Sequence, residues 1–434
     1  MPVLLSFLKR GCMLSVRFEG AGFAKKRIAD VAKRLKKVLV KLERSSLDSP
    51  FAFASLPSDG ATIRSIDAAV SLKRALHPQL IVVVGIGGSN LGAQALVEAL
   101  RPKTKVLFAD TVDPDVLSRI IVQMQDVLRQ GKNIVLNVVT KSGFTVETIA
   151  NFEILYNVLA RHRRNANEFV VATTDKGSKL WHLAFKRNFS VLEIPKNVGG
   201  RYSVFSAAGL FPLGLAGVDI RELLKGASFA NRLCFSQKSP AAQAASWAFL
   251  NYRKGRTVYD HFFFASDLEG IGKWCRQLVA ESLGKEFDLD GARKKVGILP
   301  TVSLGTTDLH SLGQLYFGGP DARFTQFVTS HFNEQLKLPS YADFNNLVPN
   351  IQKQDLSSIM RCVREGVLKS YRSAGLPYIE ARLSKDEFSL GAFMQAKMLE
   401  VVLLAHLLNI NPFDQPAVES YKRESSKLLA KKKL

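Results

Sequence analysis

The feature that most constrains this chain is a regular alternation of short apolar runs with longer segments of helical period. Apolar runs at residues 80–84, 105–109, 134–139, 169–173 and 191–194 each have the length of a buried strand. Helical segments separate them, among them 116–128 and 146–162. Strands that are apolar on both sides and joined by helices specify an α/β fold, with a parallel sheet covered on both faces. Ligands of such sheets bind outside the carboxyl ends of the strands, so the loop after each strand is where chemistry is expected. The alternation resumes downstream, with strands expected at 258–265, 296–299, 324–328 and 378–381 and helices at 271–283, 309–317, 356–373 and 389–408. Residues 214–240 read as the connection between two halves that share this pattern without a residue-level repeat. Ahead of the first strand, Ile28, Val31, Leu35, Val38 and Leu42 recur at helical spacing and predict a surface helix over 25–43. A second helix is expected over 61–76.

A chain of 434 residues is long enough for two packed cores. Its four cysteines (Cys12, Cys234, Cys275 and Cys362) are far apart with no CxxC pair. That argues against a zinc site or disulfide framework and suits a reducing compartment. The net charge of +22 is spread along the chain, apart from concentrations at 25–41 and 427–433. Spread charge is a solvated surface, so neither nucleic acid nor a membrane is the expected partner, while steering of an anionic small substrate is compatible with it. Lys9 and Arg10 interrupt the apolar residues 3–8 too early for a signal peptide, and the apolar run 399–408 is too short to span a bilayer. A soluble, cytoplasmic protein is expected.

Six stretches carry chemistry. The first strand runs into GIGGSNLG (85–92), where glycines let backbone N–H groups face an anion at a helix start, next to Gly88 and Ser89. Dinucleotide binding competes for this loop, with Asp110 ending the next strand, but the spacing is GxGGxxxG rather than GxGxxG. The third strand ends in TKSGFTVET (140–148), in which Thr140, Lys141, Ser142 and Thr145 make a cup for a phosphate monoester. A helix cap at Thr145 alone would need only one of these hydroxyls. No GxxxxGK[ST] motif occurs. In NVGGRYSVFSAAGL (197–210), Gly199 and Gly200 precede Arg201, whose fork of donors suits a carboxylate, phosphate or enolate oxygen. Glu281 sits in an otherwise apolar helix face ahead of Gly284 and Lys285, either ion-paired with Lys285 or acting as a general base. His310, in a helical turn capped by Thr307 or Asp308, is either structural or a proton shuttle. A rigid turn, NPFDQP (411–416), then leads to Gln415 and, one or two turns into a basic helix, Lys422.

Taken together, GIGGS, TKSGFTVET, GGRYSVFSAAGL, AESLGK, the His310 segment and NPFDQPAVESYK resemble the glucose-6-phosphate isomerase (phosphoglucose isomerase) family of bacterial type, in order and spacing, from residue 81 to 422. The resemblance implies two sugar-isomerase (SIS) domains, each a five-stranded parallel sheet flanked by helices, and a C-terminal arm. The corresponding boundaries are an N-terminal helical extension at 1–60, SIS domains at 61–230 and 240–405, and the arm at 406–434. It implies a homodimer without metal or redox cofactor that interconverts glucose 6-phosphate and fructose 6-phosphate through a cis-enediolate. Ser89, Thr140, Lys141, Ser142 and Thr145 would hold the phosphate, with Gly88, Gly200 and Gln415 close to the sugar. Glu281 would move the proton between C2 and C1, Arg201 would face the enediolate, and His310, reaching in from the other subunit, would open the ring with Lys422. Thr140 stands where the family more often has Ser, Phe144 where a small or hydroxyl residue is usual, and Leu309 where a glutamine is common. Phe144 would narrow the pocket. The alternatives are an isomerase that also accepts mannose 6-phosphate, a non-catalytic sugar-phosphate-binding regulator, and an NAD-binding enzyme using GIGGSNLG.

Overall fold

The computed structural model describes residues 5–9, 12–236 and 239–431. Its strands, in chain order, are β1 (Leu5–Lys9), β2 (Cys12–Arg17), β3 (Pro78–Val84), β4 (Lys105–Ala109), β5 (Asn133–Val139), β6 (Val170–Thr174) and β7 (Ser190–Glu193). The second half adds β8 (Val258–Phe263), β9 (Lys285–Phe287), β10 (Arg293–Val296), β11 (Leu299–Leu304), β12 (Arg323–Ser330) and β13 (Tyr378–Leu383).

The five apolar runs of the first half become one fully parallel sheet of order β4-β3-β5-β6-β7. Its side chains alternate between faces with the period of two that a strand dictates. Leu80, Val82, Val84, Leu136 and Val138 face the helices Pro114–Arg129, Val146–His162 and Lys179–Arg187. Ile81, Val83, Val135 and Val139 face a second core that extends into the other half of the chain. The first strand lies between the second and third, so connections leave it in opposite directions, and the crevice outside the ends of β3 and β5 is the switch point. GIGGSNLG and TKSGFTVET are the two loops that meet there.

The second half repeats this order over four parallel strands, β11-β8-β12-β13. Where a fifth parallel strand is implied by the family resemblance, the N-terminal hairpin β1–β2 adds two strands instead, β2 pairing antiparallel with β13. The sheet is therefore six-stranded and mixed, and the opening of the N-terminal segment is not helical. The strand expected at 296–299 starts at Leu299, because Arg293–Val296 is taken up in a separate hairpin with Lys285–Phe287. The helix expected over 25–43 is broken at Arg34–Leu35 into Lys25–Lys33 and Lys36–Glu43. The expected connection 214–240 contains a helix, Ile220–Cys234, followed directly by Pro240–Arg253.

Those two helices pack on Glu387–Leu407, which is apolar all round. It is long and apolar enough to cross a bilayer by length and composition, yet 89% of its apolar window is buried inside the protein, which makes it the core helix of the second half. Gly226 lets it approach closely: a Cβ there would run into the carbonyl of Phe388. A charged cluster interrupts this core at Lys397. Lys397 Nζ donates to Glu400 Oε1 (2.8 Å), Gln326 Oε1 (3.0 Å) and Tyr259 Oη (3.2 Å), using all three of its donors.

Candidate active site

The two loops at the switch point begin helices whose first turns have no side-chain cap. Asn90 precedes Leu91–Leu100 and Thr145 precedes Val146–His162, and neither side chain bonds the turn behind it. Other helices of the same sheet carry a side-chain cap at Asp113 and Ser178, as do Gly60–Arg74 at Asp59 and Ile220–Cys234 at Asp219. Thr145 Oγ1 is instead 2.9 Å from Thr140 Oγ1, and Asn90 Nδ2 donates to Asp110 Oδ2 at 3.1 Å. The peptide N–H groups of both first turns thus have no side-chain acceptor from the cap residue, and Asp110, at the end of the second strand, is engaged by Asn90. Lys141 is half-buried, with Nζ 2.6 Å from the Lys196 carbonyl; burial lowers its pKa, opposed by Asp175. Ser142 is exposed, and Ser89 is half-buried in the turn Gly87–Ser89. Phe144 is 61% exposed with the Lys179 ammonium 5.9 Å over its ring, so its bulk lies at the surface rather than narrowing the cup.

Gly88 ties this region to the turn Gly200–Tyr202. A Cβ on Gly88 would collide with the Gly200 carbonyl and the Arg201 nitrogen, so only glycine permits the two turns to touch. Ser203 Oγ lies 2.7 Å from the Gly200 oxygen and 3.2 Å from the Gly88 oxygen, sharing its proton between them. Arg201, projecting from that turn, is 2% exposed. Its five N–H donors are all engaged. Nε donates to Ser282 Oγ (2.9 Å), and Nη2 to the carbonyls of Pro412 (2.6 Å) and Asp414 (3.2 Å). Nη1 donates to Glu281 Oε2 (3.0 Å) and Gln415 Oε1 (2.9 Å).

Glu281 stands on the last turn of the helix Glu269–Leu283, with its side chain 35% exposed. Its second oxygen accepts from Gln277 Nε2 at 2.9 Å, one helical turn back on the same face. Lys285 does not pair with this carboxylate; it donates to the Glu281 backbone carbonyl at 2.8 Å. Behind the site Tyr202 stacks its ring 5.4 Å from Phe413 and 5.0 Å from Phe53, and its hydroxyl is 2.8 Å from Ser282 Oγ. The structure thus brings Arg201, Glu281, Gln415, Gly88 and Gly200 together, with Thr140, Lys141 and Thr145 at the adjoining loop. Gln277, Ser282 and Asp414 belong to the same arrangement and are not singled out by the sequence; of these, only Gln277 carries a signal, its i,i+4 spacing to Glu281.

His310 and Lys422 lie apart from this cluster. His310 is exposed on the short helix Thr307–Ser311, which has no side-chain cap; Asp308 bonds the Leu304 N–H and Ser311 Oγ instead. Lys422 is half exposed and donates to Glu419 at 2.8 Å. Its helix, Glu419–Lys431, has no buried residue.

The family model described as Phosphoglucose isomerase matches residues 71–375. Glucose-6-phosphate isomerase of Mycoplasmopsis synoviae is 34% identical over 376 residues, 82% of this chain and 83% of that protein. Glucose-6-phosphate isomerase of Streptococcus pyogenes serotype M49 is 32% identical over 389 residues, 85% and 83% of the two chains. Among solved structures, a hypothetical protein from Thermus thermophilus superposes with a TM-score of 0.84 at 27% identity, covering 96% of this chain and all of that one. A glucose-6-phosphate isomerase from Chlamydia trachomatis shares the fold, with a TM-score of 0.82 at 18% identity over 98% of this chain and 89% of its own. The chain belongs to the phosphoglucose isomerase family.

Proposed function

We propose that this chain catalyses the reversible isomerisation of glucose 6-phosphate and fructose 6-phosphate, with Glu281 and Arg201 at the reacting carbons. Moving a carbonyl between C1 and C2 needs a base for a carbon acid, a cation beside the oxygen that becomes charged, and a pair of groups to open the ring. The observation that carries the reading is the division of labour within Arg201. Nε and Nη2 are committed to Ser282, Pro412 and Asp414, which fixes the guanidinium plane. Nη1 alone points to the other site residues, Glu281 and Gln415. An enediolate oxygen beside Nη1 meets a preorganised cation, and a preorganised donor at such a position is worth about 3 kcal/mol in the transition state.

Glu281 removes the C2 proton of the open-chain aldose, giving the cis-enediolate, and returns a proton to C1 while the hydroxyl proton passes from O2 to O1, which gives the ketose. Gln277 and Arg201 hold its two oxygens and so orient the carboxylate. The phosphate is gripped by Ser89, Thr140, Lys141, Ser142 and Thr145 with the two uncapped helix N-termini, and this remote binding energy orients the sugar. Ring opening falls to His310 and Lys422. Their exposure and distance from the cluster support a homodimer in which His310 of the partner subunit completes the site. The exposed Phe332, Leu336, Tyr341, Phe344, Leu347 and Val348 support it too, since a surface of this kind marks an interaction site. Free, buried Cys234 and Cys275 are in keeping with a reducing, cytoplasmic setting.

A coupled assay of fructose 6-phosphate formation tests the reading. The protein as it stands should turn over, whereas Glu281→Gln should lower kcat by about 10³-fold and leave KM within about threefold. Near-unchanged turnover in that variant would remove Glu281 from the role of base.

A further inference from the structure

Lys285 follows the Gly284 cap of the helix that carries Glu281. Its side chain is 5% exposed, and its three donors meet the Glu281 carbonyl (2.8 Å), the Asp414 carbonyl (2.5 Å) and Asp414 Oδ1 (3.2 Å). A cation at this place also faces the negative end of the helix dipole. Burial lowers its pKa and the bond to Asp414 opposes that shift. The Asp414 carbonyl is reached by Arg201 Nη2 as well. Two buried cations from the body of the protein therefore grip one turn of the C-terminal segment, and Gln415 follows immediately.

Beyond that turn the arm has little else to hold it. Phe413 packs among Phe51, Phe53 and Tyr202, but Asp414 to Ala417 are exposed and the helix Glu419–Lys431 buries none of its residues. The position of Gln415 beside Arg201, and the direction in which the Lys422 helix departs, are set at the 411–416 turn.

We infer that Lys285 is a positioning residue for the isomerisation, pinning the 411–416 turn to the Glu281-bearing helix so that Gln415 stays on Arg201 and the arm carrying Lys422 leaves in its working direction. The inference rests on the reading of Glu281 and Arg201 given above. Lys285→Met keeps the stem and removes all three bonds. It should lower kcat about thirtyfold, the scale expected for a displacement near 1 Å, with KM for fructose 6-phosphate within about threefold. The Ki of a five-carbon aldonic acid phosphate, which imitates the enediolate, should rise roughly in parallel with the fall in kcat, while the Ki of inorganic phosphate stays unchanged. Simple loss of folded protein would lower kcat with both Ki values unaltered, and that result would overturn the inference. So would kcat and both Ki values within about threefold of the parent protein. Lys285→Gln, which keeps two N–H donors on a shorter stem, is measured in the same way should the methionine variant not fold, and the same results decide. Glu281→Gln run alongside separates the two readings. If it is inactive while Lys285→Met is unimpaired, only the role of Lys285 falls; if it is active, the base assignment falls.

Discussion

Arg201 can present one nitrogen to a substrate because its other donors are spent on Ser282, Pro412 and Asp414. Half of that was legible in advance. Two glycines ahead of an arginine announce a close approach and a donor fork, and Gly88 meeting Gly200 is that approach. The partners were not legible, since Pro412 and Asp414 lie more than two hundred positions along the chain and bond through backbone carbonyls, which no side-chain pattern announces. Asp175 is a comparable case at the phosphate loop. Its N–H donates to the Lys141 carbonyl, one carboxyl oxygen is buried without a partner, and its pKa is pushed up to about 6. Burial is the main cause, Glu193 adds to it, and Lys141 and Lys196 oppose it. Because the shift is upward from 3.8, the group is largely neutral below about 6 and charged above it, where it repels a bound phosphate. Asp175→Asn should therefore tighten inhibition by inorganic phosphate about fivefold at pH 8, the scale of one nearby charge, and hardly at all at pH 5.5. An unchanged Ki at pH 8 would show that Asp175 faces away from the anion.

Among the elements, β3, β5 and β6 are plain in the sequence because burial on both faces leaves them largely apolar, with only Asn137 and the closing Thr173 and Thr174 as buried polar residues. β11 is half exposed, its apolar residues are interrupted by Pro300, Thr301 and Ser303, and its start was displaced accordingly. The helix Ile220–Cys234 was hidden because several of its core-facing residues, Gly226, Ala227 and Ala230, are small and contribute little to an apolar pattern. The pairing of β2 with β13 joins residues over 350 positions apart and has no local signature. The core helix Glu387–Leu407 hides the opposite feature, a charged pair inside an apolar run. Glu400→Gln leaves Lys397 buried without its counter-ion and should destabilise the protein by about 3 kcal/mol, whereas replacing Lys397 by Met and Glu400 by Leu together should cost less. Urea unfolding of the three proteins checks this; equal midpoints would mean that the pair contributes nothing.

At the scale of the whole molecule, the two halves share the order 2-1-3-4 over their parallel strands, and the cation–carboxylate pair of the site joins them, Arg201 following the first sheet and Glu281 following β8. The proposed homodimer, in which His310 of the partner subunit completes the site, predicts that activity depends on assembly. Glu281→Gln and His310→Ala should each be inactive alone. Mixed and allowed to exchange subunits, they should recover about a quarter of the parental activity, since half of the dimers are hybrids and each hybrid holds one intact site. No recovery, with hybrids formed, would place His310 in its own subunit's site.

Proton transfer between C2 and C1 by Glu281 is read out by solvent deuterium. Isomerisation run in deuterium oxide should place deuterium at C1 of part of the fructose 6-phosphate formed by the parent protein, and Glu281→Gln should lower turnover and labelling together by about 10³-fold. Label appearing at the parental rate in Glu281→Gln would take the proton transfer away from Glu281.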